Sequence, residues 1–440
     1  MKRITRLAGH YDSVRVTRFY IPLLLQAFSQ SLTYPLVAGI VTHGACGANG
    51  LTAFSQGQMI MFLIGSLGAG LITTGLVFAR TPYGYISYKR LNLLMMSVLI
   101  TCQCVPALPP FGHWVFEGLF ALPPELATVA RWTLLGGVFM NGAFFLRNVP
   151  LVLLFNNFES GKANLATLAR IAFTLVCSAV FPHLGWCGPG WGLVAISCGV
   201  FLELWVSWVF ARPYARALQV TDGMPLPRAA EIAALAWEQF RFTLPLAFGG
   251  LLLATAPLVI AAFVARTAAA GDMLIIHYMT LGIANPVAYA ALRLQTVAVK
   301  FPPEYPGDRR LLVYAVIAGL ALGLIPFVFS LPLVGDWYFG RFQNVPRHLL
   351  GTVELAIGLY SFIAVFHAVR ARIEGIAAFQ RRPSAVMAGQ IAYTVSLFLT
   401  CLVLLPTGCA GWKMAMTAIY VAPACTAMAV YATLAWVKTR

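Results

Sequence analysis

The sequence has 440 residues, of which 60% are hydrophobic and only 10% charged, and its mean hydropathy is +0.80. Soluble domains carry about a quarter charged residues, so this composition excludes an ordinary soluble enzyme, a disordered chain and a disulfide-rich secreted scaffold. The formal net charge is +16, from 30 Lys and Arg against 14 Asp and Glu. In a membrane protein such an excess is typical of cytoplasmic loops, so we expect no nucleic-acid partner.

Long apolar runs follow one another along the chain. A helix of about 20 apolar residues crosses a bilayer and satisfies its own backbone hydrogen bonds in lipid. Runs of this length, without the short alternating pattern of barrel strands, predict an all-α polytopic membrane protein with twelve spans. The predicted spans are 19–41, 51–78, 91–108, 130–155, 163–181, 190–210, 240–264, 274–298, 311–331, 349–379, 384–405 and 413–437.

The distribution of Lys and Arg predicts the orientation, because basic residues accumulate in cytoplasmic loops. With the N-terminus inside, most basic residues fall in inner segments. They include Arg80, Lys89 and Arg90 after the second span and Arg381 and Arg382 after the tenth. We therefore expect both termini in the cytoplasm. We also expect a monomer in the lipid bilayer of a prokaryotic inner membrane.

An internal repeat relates the two halves of the chain. Arg-Phe-Tyr-Ile-Pro-Leu at 18–23 opens the first span, and Arg-Phe-Thr-Leu-Pro-Leu at 241–246 opens the seventh. Residues 170–174 of the fifth span likewise match 390–394 of the eleventh, and a Gly-Trp pair follows each of them. All offsets are about 220 residues, so the repeat unit is six helices, and an even number of spans keeps the two copies in the same orientation.

The longest polar stretch between predicted spans, 211–239, separates the two copies. We therefore predict an N-terminal six-helix lobe at 1–210, a cytoplasmic linker at 211–239 and a C-terminal six-helix lobe at 240–440. Residues 228–241 are expected to form an amphipathic helix along the inner interface. Two such lobes around a central cavity are typical of transporters that work by alternating access.

Four short stretches carry a resemblance to a known superfamily: 75–78 at the end of the second span, 244–247 followed by Pro257 and Arg266, 286–287, and 369–372 followed by Gly375. On these stretches the chain resembles the multidrug/oligosaccharidyl-lipid/polysaccharide (MOP) exporter superfamily, and within it the progressive ankylosis family. The resemblance implies twelve transmembrane helices in two pseudo-symmetric six-helix lobes, as in MATE/MOP-like proteins. It also implies export, which for ankylosis-type proteins concerns pyrophosphate, nucleotides such as ATP, and citrate.

Strongly polar side chains at membrane depth are costly and usually face a cavity or a partner. Gln26 and Gln30 lie on one helix face, where they either line a cavity or bond to a neighbouring helix. Arg147 lies too deep for easy snorkelling, whereas snorkelling to the inner interface is the alternative for Arg170 and Arg293. The predicted substrate-binding residues are Gln26, Gln30, Asn141, Arg147, Arg170, Asn285, Arg293, Arg370 and Arg372.

Two acidic residues are candidates for ion pairing or ion coupling. Glu203 is the only acid deep in the first predicted lobe, so it either pairs with an Arg of a neighbouring helix or serves as a protonation site. Glu374 follows Arg370 by four residues, so the two can pair on one helix or belong to a basic gate. The nine cysteines show no metal-type spacing, no P-loop occurs, and we expect no metal, cofactor or catalytic residues.

The candidate cavity charges are all arginines, whose guanidinium group matches phosphate and carboxylate geometry. The predicted function is therefore export of an anionic solute, such as pyrophosphate, a nucleotide or a citrate-like anion, by a non-enzymatic transporter. A flippase for a lipid-linked oligosaccharide or another polyprenyl-phosphate lipid is the main alternative, because its substrate is also an anion. A multidrug efflux pump is disfavoured by the absence of an acid in the first span, and a membrane-embedded transferase by the absence of an acidic or His/Asp cluster.

Overall fold

The computed structural model describes the backbone of residues 10–119, 122–218, 229–305, 307–343 and 345–436. Within these ranges, the side chains at 30–32, 34, 35, 48, 119, 229, 342 and 436 fall outside the description. Every regular element in the described part is a helix.

Eleven helices of the described chain are long and apolar enough to cross a membrane. Helix α1 (Ser13–Thr42) precedes these eleven. The eleven are α2 (Asn49–Phe78), α3 (Pro82–Ala107), α4 (Pro124–Asn156), α5 (Ser160–His183), α6 (Pro189–Ala217), α7 (Ala230–Val264), α8 (Ala270–Lys300), α9 (Arg310–Ser330), α10 (Arg347–Phe379), α11 (Pro383–Thr407) and α12 (Gly411–Ala435). The all-α architecture predicted from the apolar runs is confirmed, with its helices in the predicted order.

Helix α3 begins nine positions before the predicted span at 91. Thr81 caps it: its hydroxyl accepts a hydrogen bond from the Gly84 backbone N–H at 3.2 Å, and Pro82 occupies the first helical turn. Lys89 and Arg90 therefore lie inside the helix. Hydropathy placed the start too late because long basic side chains at the end of a span can extend to the interface while their helix continues.

The predicted amphipathic helix at 228–241 is not a separate element. The helix that contains α7 begins at Ala229 and runs without interruption to Val264. Helix α6 likewise extends to Ala217, so helices enter the predicted linker from both sides. Residues 219–228 of that linker lie outside the described residues.

Helix α8 is interrupted near its end and not at its internal proline. The helix continues through Pro286 and breaks at Arg293, after which Leu294–Lys300 forms a last short helical segment. A proline removes only its own N–H from the hydrogen-bond ladder, and neighbouring groups in a bundle can satisfy the freed carbonyl.

The contacts of the chain define two compact units, which we call the N-terminal unit (Ser29–Leu251) and the C-terminal unit (Met1–Phe28 with Leu252–Arg440). Within the C-terminal unit, the Tyr20 hydroxyl of α1 donates to the Ala290 carbonyl of α8 at 3.0 Å. Within the N-terminal unit, the hydroxyl oxygens of Thr74 in α2 and Thr243 in α7 lie 2.8 Å apart. The first halves of α1 and α7, which carry the matching Arg-Phe motifs, are thus each grouped with the other copy of the repeat.

The predicted repeat is visible in the order of the minor elements. A short helix, Pro109–Gly112, and a π-helical segment, His113–Leu119, precede α4. The same two elements, Pro332–Gly335 and Asp336–Phe342, precede α10, each starting 223 positions later than its counterpart. The turns after α4 and α10 also agree, because Phe158 and Arg381, again 223 positions apart, both have positive φ (62° and 57°).

Burial patterns show that the same offset of 223 holds in the last helix of each copy. The buried residues Ala195, Gly199, Glu203 and Ser207 of α6 correspond in this way to the buried residues Ala418, Ala422, Thr426 and Val430 of α12. The sequence match of 170–174 with 390–394 has an offset of 220. At the structural offset of 223, position 170 corresponds to position 393, so the sequence match is about one helical turn out of register. Short runs of small and apolar residues recur at every turn of such helices, so sequence similarity alone does not distinguish adjacent turns.

Candidate functional site

A buried cluster of three charged side chains joins α4, α5 and α6 of the N-terminal unit. The Glu203 carboxylate of α6 lies between two arginines: its Oε2 is 2.8 Å from Nη1 of Arg147 in α4 and 3.1 Å from Nη1 of Arg170 in α5. Its Oε1 accepts a hydrogen bond from the Thr167 hydroxyl at 2.5 Å. Glu203 is thus held by charge-assisted bonds from two neighbouring helices.

An aromatic ring supports both guanidinium groups of this cluster. The Phe144 ring centroid lies 4.6 Å from the guanidinium carbon of Arg147 and 5.9 Å from that of Arg170. Phe144 precedes Arg147 by three residues in α4, so the two share a helix face. The ring faces attract cations, and in a site without water this attraction is worth about 2 kcal/mol.

The charges of the cluster do not cancel. The exposed fractions of Arg147, Arg170 and Glu203 are 7%, 2% and 0%, and two guanidinium groups face one carboxylate. The cluster therefore carries a net charge of +1 at membrane depth, where an unbalanced charge costs several kcal/mol. The Nε atoms of both arginines have no hydrogen-bond partner among the described residues.

The C-terminal unit contains a smaller buried pair on α10. Nε of Arg370 lies 2.9 Å from Oε1 of Glu374, four residues later on the same helix. The guanidinium carbon of Arg370 lies 4.7 Å from the ring centroid of Tyr393 in α11. His367, one turn before Arg370, is buried, and its Nδ1 has no partner in the described part of the chain.

The two arginine sites occupy equivalent places in the repeat, at the offset of 223. The corresponding pairs are Arg147 with Arg370, Phe144 with His367, Thr167 with Gln390, Arg170 with Tyr393, and Glu203 with Thr426. Position 426, which corresponds to Glu203, holds a threonine. The acid of the second copy is Glu374, which lies on the same helix as Arg370.

Two of the other predicted residues are buried in different surroundings. The Asn141 amide of α4 donates to the Met61 carbonyl at 3.3 Å and to Oε1 of Gln103 at 2.7 Å, so it links α4 to α2 and α3. Gln26 of α1 is 2% exposed and belongs to the C-terminal unit. The side chain of Gln30 lies outside the described residues.

The remaining predicted residues lie elsewhere in the C-terminal unit. Arg293 is half-buried at the break in α8, and Asn285 is exposed. Nη2 of Arg372 donates to the Asp308 carbonyl at 3.3 Å, in the segment between α8 and α9. In the described structure, Arg147, Arg170 and Glu203 thus share one site, and Arg370 and Glu374 share another.

Sequence reasoning missed the uncharged members of both clusters. Thr167 lies three residues before Arg170 and Phe144 three residues before Arg147, so helical spacing alone could have indicated them. Tyr393 gave no such signal, because its partner Arg370 lies on another helix. Among the described residues, no group of three or more His, Cys, Asp or Glu side chains is placed to hold a metal ion.

Solved structures of similar fold cover nearly the whole chain. A MOP superfamily transporter from Pyrococcus furiosus, described as having a binding pocket of reverse polarity that suggests a different function, is 15% identical, with a TM-score of 0.72 and 100% and 99% of the two chains covered. The MATE transporter VcmN of Vibrio cholerae is 12% identical (TM-score 0.66, 99% and 98% covered). The eukaryotic MATE transporter AtDTX14 is 16% identical (TM-score 0.61, 98% and 96% covered).

No protein-family model and no curated protein sequence matches the chain. At these identities the structural likeness defines the fold. The chain is an integral membrane protein with the twelve-helix fold of MATE transporters of the MOP superfamily.

Proposed function

We propose that this protein is a membrane transporter that exports an anionic solute bearing a phosphate or carboxylate group, by alternating access of its two lobes. The observation that carries the proposal is the buried cluster of Arg147, Arg170 and Glu203, in which one positive charge is left without a balancing acid. Buried guanidinium groups bind oxyanions with two parallel hydrogen bonds, which a cation site would not require.

Two further observations support the proposal. A transporter of similar fold has a binding pocket of reverse polarity, which is consistent with this fold serving substrates of different charge. The resemblance to the progressive ankylosis family narrows the expected substrates to pyrophosphate, nucleotides and citrate-like anions. Energy for efflux would come from the membrane potential, because an anion that leaves a negative interior gains about 2.3 kcal/mol per charge at 100 mV.

The test is efflux from liposomes that contain the purified protein and labelled pyrophosphate, ATP or citrate. We expect one of these anions to leave faster than from protein-free liposomes. Arg147→Ala should reduce that efflux at least tenfold, because the cluster loses one of its two cations. Arg266→Ala is the matched control, since Arg266 is exposed and its guanidinium donates to the Ala262 carbonyl four residues earlier.

The same liposomes distinguish the flippase alternative. A fluorescent lipid-linked saccharide in the bilayer should keep its sidedness if the protein exports soluble anions. Scrambling of that lipid without efflux of any soluble anion would contradict the proposal and assign the cluster to a lipid phosphate. Equal efflux by wild-type protein and a folded Arg147→Ala variant would remove the cluster from the transport path.

A further inference from the structure

Four buried polar atoms of α4, α5 and α6 have no hydrogen-bond partner among the described residues. They are Nε of Arg147, Nε of Arg170, the Asn164 side-chain oxygen and the Ser207 hydroxyl. These residues are 7%, 2%, 7% and 0% exposed, respectively. Buried polar groups are nearly always paired, and leaving one unpaired costs about 1–3 kcal/mol, so these four atoms have hydrogen-bonding capacity left for a ligand.

Two contacts between α5 and α6 fix where Asn164 and Ser207 lie. At one level the Thr167 hydroxyl of α5 meets the Glu203 carboxylate of α6. At another level, Nζ of Lys162 in α5 lies 3.0 Å from the Tyr214 hydroxyl of α6. Along α5, Asn164 lies between Lys162 and Thr167. Along α6, Ser207 lies between Glu203 and Tyr214.

Asn164 and Ser207 therefore lie on the same side of the charged cluster, toward the start of α5 and the end of α6. Ser207 follows Glu203 by four residues and Asn164 precedes Thr167 by three, so each shares a helix face with a member of the cluster. We call Lys162, Asn164 and Ser207 the polar track. Lys162, at the start of α5, is its half-exposed member.

We propose that the N-terminal unit binds one singly charged anionic group between α4, α5 and α6, where Arg147, Arg170, Ser207 and the Asn164 amide donate hydrogen bonds to it. The ligand class follows from the charge: the cluster carries +1, so one negative charge makes it neutral. The Asn164 amide can present either its oxygen or its NH₂ group to the ligand, because the two ends exchange by rotation. The inference rests on the proposed function for the identity of the transported ligand. It extends that proposal because, of a solute with several negative groups such as citrate, this site holds one singly charged group.

Glu203 is the residue that determines this charge preference. Without its carboxylate the two guanidinium groups would carry +2 and match a divalent anion. In the second copy of the repeat, Thr426 of α12 stands at the position that corresponds to Glu203. Arg370 pairs instead with Glu374 on its own helix, so an arginine at this place does not require an acid on the last helix of its copy. Glu203 thus does more than neutralise Arg147: it holds two arginines together and lowers their combined charge.

The test measures thermal unfolding of the purified full-length protein in detergent. Gluconate is replaced stepwise by nitrate, chloride or sulfate at constant ionic strength. For wild-type protein we expect saturable stabilisation by nitrate or chloride, with an apparent Kd about tenfold lower than for sulfate, because one unmatched charge is worth about a factor of ten. Glu203→Gln should reverse this order in favour of sulfate.

A second variant keeps the proposal testable if Glu203→Gln fails to fold. Asn164→Asp adds one negative charge to the polar track and should abolish stabilisation by all three anions. Asn157→Asp, which makes the same change in the exposed turn between α4 and α5, should leave it intact. Equal unfolding midpoints of wild-type protein in all anions, or the same order of anions in wild-type and Glu203→Gln, would overturn the proposal.

Failure of this inference can be distinguished from failure of the proposed function. Stabilisation by nitrate without efflux of pyrophosphate, ATP or citrate from liposomes would support a bound monovalent ion and contradict export of those solutes. Efflux of one of these solutes without any anion-specific stabilisation would support export and overturn the monovalent site.

Discussion

Arg147 and Arg370 occupy equivalent positions 223 residues apart, yet Arg147 pairs with an acid on another helix and Arg370 with an acid on its own. A pair between helices couples the packing of those helices, whereas a pair within one turn of a helix does not. We therefore expect the stability of the N-terminal unit to depend on its buried charges more than that of the C-terminal unit does.

The first prediction compares the two acids. Glu203→Ala leaves two buried guanidinium groups without an anion and should reduce the free energy of unfolding by about 3–5 kcal/mol. Glu374→Ala removes the partner of one arginine that still stacks on Tyr393, and we expect a smaller loss. Thermal or denaturant unfolding in detergent checks the difference, and equal losses would show that the pair between helices has no special role.

The second prediction concerns the ring beneath the two guanidinium groups. Phe144→Leu keeps most of the apolar volume but removes the aromatic face, so it should destabilise the protein by about 1–2 kcal/mol. Phe139→Leu is the control, because Phe139 lies on the same helix and is 67% exposed. A loss no larger than that of the control would mean that the ring acts only by filling space.

The third prediction concerns close packing between α9 and α10. A Cβ added at Gly323 would clash with the Ser361 carbonyl oxygen, so Gly323→Ala should push the helices apart and cost about 1–3 kcal/mol. Gly282→Ala in α8 meets no atom within 4 Å and should stabilise its helix by about 0.5–1 kcal/mol. Opposite signs of the two changes in unfolding midpoint are the expected result, and a neutral Gly323→Ala would contradict this packing.

The fourth prediction concerns pH and the segment between α8 and α9. A hydrogen bond from Arg310 lowers the pKa of Asp308 to about 2, from an ordinary value of 3.8. A lowered carboxyl pKa adds stability that is complete above pH 3.8 and is lost as the pH falls toward about 2.

Asp308→Asn should therefore lower the unfolding midpoint at neutral pH, and the difference from wild type should shrink as the pH falls from 4 toward 2. Unfolding scans over this range measure the difference directly. A gap that stays constant with pH would show that the carboxylate charge does not contribute, and that the substitution acts through packing alone.

The sequence by itself determined the membrane-spanning character, the order of the helices and the existence of the repeat. Hydropathy suffices for these features because lipid forces every spanning segment to satisfy its own backbone hydrogen bonds. It also indicated Arg147, Arg170, Arg370 and the two acids as unusual, because ionised side chains at membrane depth are rare. These inferences need only local composition and spacing.

Only the tertiary structure decided which of these residues meet. Arg147, Arg170 and Glu203 lie on three helices, and no spacing along the chain specifies how those helices rotate about their axes to face each other. The register of the repeat was settled in the same way, because the buried faces of α6 and α12 agree at 223 positions while the matching sequence run in α5 and α11 is one turn away. Packing selects one face of each helix, and that choice depends on the neighbouring helices as well as on the helix itself.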